Sequence, residues 1–163
     1  MRKFTLYQYK DHSLIKNANF TVELSHLCRL SQFKCPNKSG YYPDPEQCDL
    51  YYECRNNVPK EKLCKDGLVF NDNNPLYERC DFPFVVHCGK REYLQEPKSS
   101  PNCPRKNGMF ARSDSCTVFW QCVDGIASKM SCQNGLAFNP KSGTCQWKYL
   151  VPDCGKQPAE SEE

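Results

Sequence analysis

The sequence predicts a small, disulfide-rich, mostly β fold arranged as two tandem modules. Twelve of the 13 cysteines write one six-cysteine pattern twice. The first run is Cys35, Cys48, Cys54, Cys64, Cys80 and Cys88; the second is Cys103, Cys116, Cys122, Cys132, Cys145 and Cys154. The intervening residues number 12, 5, 9, 15 and 7 in the first run and 12, 5, 9, 12 and 8 in the second, so the repeat stays in register through the fourth cysteine. A repeated even count of cysteines reads as two cross-linked modules. Modules of about fifty residues bury too little surface to rest on their cores alone. A disulfide closing a loop of about 15 residues adds on the order of 3 kcal/mol, which supplies the difference.

Residues 1–34 form a leader without clear periodicity. Module one spans 35–88 and module two spans 103–154. Between them, 89–102 ("GKREYLQEPKSSPN") is polar, holds two prolines and reads as a partly extended linker. The tail, 155–163, is polar and reads as disordered. Inside each module, an aromatic-rich stretch runs into a two-residue turn signal: Asn56-Asn57 in "CDLYYECRNNVPKEKLC" and Asp124-Gly125 in "CTVFWQCVDGIASKMSC". Such residues tolerate the positive φ of tight hairpins. A second hairpin is expected from "GLVFN" to Cys80 and from "GLAFN" to Cys145.

Charge and compartment narrow the function classes. Net charge is +3 overall, with −3 on module one and +3 on module two. Neither module is basic enough for a nucleic-acid footprint; a weakly charged surface suits a neutral ligand. No stretch approaches the roughly 20 apolar residues of a membrane span. Disulfide frameworks persist in oxidising compartments, which predicts a secreted, extracellular protein. The start of the chain, "FTLYQYKDHSLIKNANF", lacks the apolar run of about 7–15 residues of a signal peptide.

With "YYEC" and "FWQC" at the third cysteine and "GLVFN" and "GLAFN" after the fourth, the pattern resembles the peritrophin-A type chitin-binding domain. This is the chitin-binding type-2 module, or carbohydrate-binding module family 14, whose scaffold is shared by tachycitin. The resemblance covers 35–88 and 103–154. The linker, "CDFPFVVHCG" and "CQWKYLVPDCG" further resemble insect obstructor and Gasp proteins of cuticle and tracheal matrix. Those usually carry three modules after a signal peptide. Two modules without a visible signal make truncation at one or both ends a standing alternative.

The resemblance implies tachycitin-like modules of short antiparallel hairpins, binding to chitin in an extracellular matrix and no enzymatic activity. It also implies the pairing of first with third, second with sixth and fourth with fifth cysteine. Carried over, that is Cys35–Cys54, Cys48–Cys88 and Cys64–Cys80, then Cys103–Cys122, Cys116–Cys154 and Cys132–Cys145. Spacing alone leaves 15 pairings per module open. The implied sugar surface lies between the fourth and sixth cysteines: Asn71, Tyr77 and Phe82 in module one, Asn139 and Trp147 in module two. Module two lacks a match to Tyr77, because its loop is three residues shorter.

Chitin is a neutral polymer of N-acetylglucosamine, whose rings offer apolar C–H faces to aromatic planes and an acetamido group to polar partners. The adjacent pairs Tyr51-Tyr52 and Phe119-Trp120 are further candidates. Neighbours on a strand face opposite sides, so one of each pair should pack inward and the other be available; parity does not say which. Phe70 and Phe138 read as core. Two modules on one linker would add avidity along a fibre.

Other chemistries find little here. No CxxC occurs and the tightest gap within either run is five, against a structural zinc site. No cofactor is expected, and the three histidines form no catalytic motif. Asn19 and Asn37 head glycosylation sequons. Expected partners are chitin and other cuticle matrix proteins, with neither nucleic acid nor membrane. A second function class stays open: a disulfide-rich protein-binding module, inhibitor or matrix adaptor, without sugar affinity.

Cys28 has no counterpart in the repeat. An odd cysteine in an exported chain implies a free thiol or an intermolecular bridge; the simpler reading is that the leader is foreign to the mature protein and Cys28 incidental. Removing residues 1–33 is therefore expected to leave both modules folded, as checked by far-UV spectra and disulfide mapping. A Cys28 bridge into either module would reverse this.

Overall fold

The computed structural model describes residues 33–151 and Cys154. Residues 1–32, with Asn19 and Cys28, and 155–163 lie outside the described residues. The fold class is the one expected: small antiparallel sheets in two similar halves. In module one, β1 (Ser39–Pro43), β2 (Leu50–Arg55) and β3 (Val58–Leu63) form a meander, and β4 (Val69–Phe70) pairs with β5 (Cys80–Asp81). In module two, β6 (Gly108–Arg112), β7 (Ser115–Val123) and β8 (Ile126–Ser131) repeat the meander. There β9 (Leu136–Asn139) pairs with β10 (Thr144–Trp147), followed by a 3-10 turn, Lys148–Leu150.

The hairpin turns sit where their residues demand. Asn56 and Asn57 have φ of 52° and 64°, Asp124 and Gly125 of 48° and 86°, and positive φ at both central positions matches the right-handed twist of the flanking strands. The first strand of each meander, β1 and β6, is an addition to the sequence reading. Both "SGYYP" and "GMFAR" are short and carry glycine, with proline in the first, which masks a strand signal.

Six disulfides tie the modules: Cys35–Cys54, Cys48–Cys88 and Cys64–Cys80 in the first, Cys103–Cys122, Cys116–Cys154 and Cys132–Cys145 in the second. All twelve repeat cysteines are thereby consumed, leaving none of them as a thiolate ligand. Against the staples, each module packs one aromatic pair. Tyr51 stacks on Phe70 with centroids 4.5 Å apart and planes 7° from parallel. Phe119 stacks on Phe138 at 4.2 Å and 13°. The meander is thus pinned to the second hairpin by the same two positions in both modules, and offset stacking adds to the burial itself.

The segment 89–102 is bound chain. Tyr93 bridges Gln47 in parallel, donating its N–H to the Glu46 carbonyl (3.1 Å) and accepting from the Cys48 N–H (2.9 Å). Arg91 is buried, with its guanidinium on the carbonyls of Cys88 and Phe70 and on Asp72. Gln95 gives its N–H to the buried Asp49 carboxylate (2.9 Å) and its side-chain amide to the Cys64 carbonyl (2.9 Å). At its far end Ser100 exchanges two backbone hydrogen bonds with Cys103 and donates its hydroxyl to the Gly125 carbonyl (2.7 Å).

The strap meets both modules at Asp66. One carboxylate oxygen accepts from the Arg105 guanidinium (2.8 Å), the other from the N–H groups of Lys98 and Lys106 (2.9 Å each). The Asp66 carbonyl accepts twice from Asn107, from its N–H and its side-chain amide (3.0 Å each). The amide oxygen of Asn107 in turn accepts the Asp124 N–H (3.1 Å), and Lys65 pairs with Asp124 across the seam (3.0 Å).

Beside Asp66, Gly67 has φ +95°, and a Cβ there would stand 1.8 Å from the Asn107 carbonyl oxygen. The backbones of the two modules touch at this point, and only glycine allows it. Gly67→Ala is expected to undock the modules while each keeps its own three disulfides. Small-angle scattering should report a larger radius of gyration, and amide signals from 95 to 107 should move. Unchanged scattering would show that the seam tolerates a methyl group.

Candidate functional site

The second hairpin of each module carries two aromatic residues at matching places, two and four positions past the fifth cysteine: Phe82 and Phe84, then Trp147 and Tyr149. In module two they stand open, Trp147 at 56% and Tyr149 at 81% exposure. Trp147 closes β10 opposite Leu136, with its ring edge on the face of Gly135. In module one the same two positions are half-buried and stack on each other, centroids 5.3 Å apart and planes 14° from parallel. The difference has a cause in module two, whose Gly143 lies against the Phe84 ring: a Cβ there would be 2.4 Å from it.

Tyr77, on the three-residue insertion of module one, is 66% exposed. The loop beneath it is held electrostatically. Glu78 accepts hydrogen bonds from the Lys62 ammonium and from the Tyr51 hydroxyl. Those two bonds, Lys62 first, hold the Glu78 carboxyl below its ordinary range. Burial, then the bond to Glu78, pushes the Tyr51 phenol up. Lys62 also lies 5.9 Å from the ring centroids of Tyr41 and Tyr51. Tyr77 is therefore presented on a braced loop.

The two asparagines are engaged within their own hairpin loops. Asn71 and Asn139 are buried. The amide group of Asn71 donates to Asp81 (2.7 Å) while its oxygen accepts the Asn73 N–H (3.1 Å). Asn139 donates to Gln146 (3.0 Å) and accepts from the Lys141 N–H (2.9 Å). Each amide is spent closing its hairpin loop, a local bond that asparagine favours at turns.

The aromatic pair of module one departs from the parity expectation. Tyr51 and Tyr52 are both buried, at 3% and 1% exposure. Parity yields an available side chain only where one face of the sheet is open. Here β2 is the central strand and both of its faces are covered. Tyr51 packs against Phe70, and Tyr52 donates to the buried Asp44 carboxylate (2.9 Å), whose other oxygen caps the N–H groups of Glu46 and Gln47. In module two, Phe119 is half-buried under Phe138, and Trp120 is half-buried beneath the Arg112 guanidinium, 5.1 Å from its centroid. Asn37 is exposed and donates its amide to the Tyr42 hydroxyl (3.1 Å).

The model of the chitin binding Peritrophin-A domain matches residues 35–88 and, again, 103–154. The chain belongs to the peritrophin-A chitin-binding family. Among relatives of its two domains, obstructor-E of Drosophila melanogaster is 36% identical over 88% of this chain and 59% of its own length. The chitin-binding domain protein cbd-1 of Caenorhabditis elegans is 29% identical over 80% of the chain and 10% of its own length. Peritrophin-44 of Lucilia cuprina is 25% identical over 71% of the chain and 30% of its own length. The chain thus spans about three-fifths of the first relative and much less of the others.

Sequence reasoning about these peritrophin-A domains passed over Phe84 and Tyr149, which carry a signal, since they align four residues past the fifth cysteine in both repeats.

Two carboxylates are held in the charged state by this architecture. Burial raises the pKa of Asp66, but the N–H groups of Lys106 and Lys98 and the Arg105 guanidinium outweigh it and leave the group lowered; Glu78 is lowered too. A depressed carboxyl adds stability above its unfolded pKa and loses it as pH falls through the folded value. Melting temperature is therefore expected to hold from neutral pH down to about 5 and to drop below about 4. Asp66→Asn and Glu78→Gln should each melt lower at neutral pH and show a shallower acid limb. Curves parallel to wild type would exclude these groups as the source.

Proposed function

We propose that this chain is a non-enzymatic chitin-binding protein of an extracellular matrix, cuticular, tracheal or peritrophic. Its two modules grip N-acetylglucosamine rings by aromatic stacking, with Trp147 in the second module and Tyr77 and Phe82 in the first. The observation that carries this reading is the exposed Trp147 on the second hairpin of a chitin-binding peritrophin-A domain. The exposed indole of Trp147, with the exposed Tyr149 two residues on, offers flat apolar surface on which the C–H face of a neutral sugar ring can stack. The non-enzymatic reading is supported by the matched domain being a binding domain. The extracellular reading is supported by six disulfides, which persist in oxidising surroundings. Because the strap fixes the modules, avidity here depends on sites on the polymer matching a set spacing, in place of a tether that searches freely.

Retention on insoluble chitin beads is the direct test. Binding is expected to persist in about 1 M sodium chloride, where charge interactions are screened within about 3 Å. Trp147→Ala should weaken retention about five- to tenfold, the loss of one stacked ring. Trp120→Ala should mainly lower the melting temperature. Elution by salt would mean adsorption by charge, and failure to bind at all would favour a protein-binding adaptor.

A further inference from the structure

We infer that Phe82, with Phe84, forms one wall of a composite cleft, completed by module two, which takes a short run of N-acetylglucosamine units. This rests on the chitin-binding reading above and adds a second site, unlike the first in shape. The starting observation is the asymmetry of the repeat. Phe82 and Phe84 occupy the positions of the open Trp147 and Tyr149, yet they face the other module. Between the modules lies a cavity of about 430 Å³, within the range of about 300–1,000 Å³ typical of small-molecule sites. Phe82 and Phe84 line one side; Met109 and Phe110 of β6 line the other. Arg105 and Lys141 stand at the same cavity and offer donors.

The composition fits a neutral amino sugar. A phenyl pair on one wall and a phenyl and a thioether on the other give the apolar lining that the C–H groups of a pyranose ring require. Donors suit an acetamido carbonyl. The walls are held in place before any ligand arrives. The ring of Phe110 lies over Gly108, where a Cβ would be 2.6 Å from it, so the turn into β6 keeps that ring in position. The opposing wall is set by the seam at Asp66 and Gly67, so little ordering is left to be done on binding.

The test uses the full chain and the soluble tetramer of N-acetylglucosamine, followed by amide chemical shifts and calorimetry. Beyond shifts around the exposed Trp147 and Tyr77, wild type should show a further group spanning Gly67, Met109 and Phe110. Phe110→Ala should weaken binding at this further group on the order of tenfold and leave the shifts around Trp147 and Tyr77 alone. Phe110→Trp, which keeps an aromatic plane, should restore it, and Gly67→Ala, which opens the seam, should mimic the loss. An unchanged amide spectrum elsewhere and six intact disulfides would establish that the variants fold. If wild type binds solid chitin but the tetramer moves only signals near Trp147 and Tyr77, or Phe110→Ala binds as wild type does, the composite cleft is wrong and the chitin reading stands. If wild type binds neither tetramer nor solid chitin, the chitin reading itself falls.

Discussion

The carboxylate of Asp66 is the point on which the arrangement of this protein turns. Its side chain is 1% exposed, and every donor it meets lies outside its own module: Lys98 on the strap, Arg105 and Lys106 at the start of module two. A buried carboxylate left without donors would carry a desolvation cost of several kcal/mol. That cost makes docking of the strap and the second module mutually dependent. Neither supplies enough donors alone. The equivalent place in module two is Asn134, exposed and outside this network. One residue therefore separates a module that clamps a neighbour from one that, at the same turn, does not.

The disulfides and the clamp act at different scales. Three cross-links per module hold a core that amounts to one stacked aromatic pair and a few aliphatic neighbours, as small domains require. They say nothing about how the modules face each other. The seam does that with polar contacts around two close backbones. The outcome is two copies of one scaffold whose aromatic ends meet different surroundings, open water in one case and a neighbouring module in the other.

How far the sequence could be read follows from where each feature draws its cause. Cysteine spacing and the turn residues Asn56-Asn57 and Asp124-Gly125 are local, and both the fold class and the hairpins were legible from them. The first strand of each meander was not, since its signal is diluted by glycine and, in module one, proline. Alternation predicted one free tyrosine at 51 or 52, but alternation assumes an open face, and Asp44 and Phe70 close both. Asn71 and Asn139 enter as candidates through the family resemblance; the loop-closing bonds they make with Asp81 and Gln146 are not written in it. The strap looked like tether because its composition is polar, and its partners, Asp49 and Asp66, are distant in sequence. The junction cavity needs contacts that no single repeat contains.

The strap gives the molecule a mechanical character. Load applied across the two modules reaches the strap from Cys88 and Cys103, both locked by disulfides to the body of their modules. Pulling would strip the bonds at Tyr93, Gln95 and Lys98 before any covalently closed module had to open. The 14 released residues would then pay out up to about 45–50 Å of chain. On slackening, the same donors would find Asp49 and Asp66 again. A chain loaded across its two modules would thus yield reversibly at its middle, with both modules still folded.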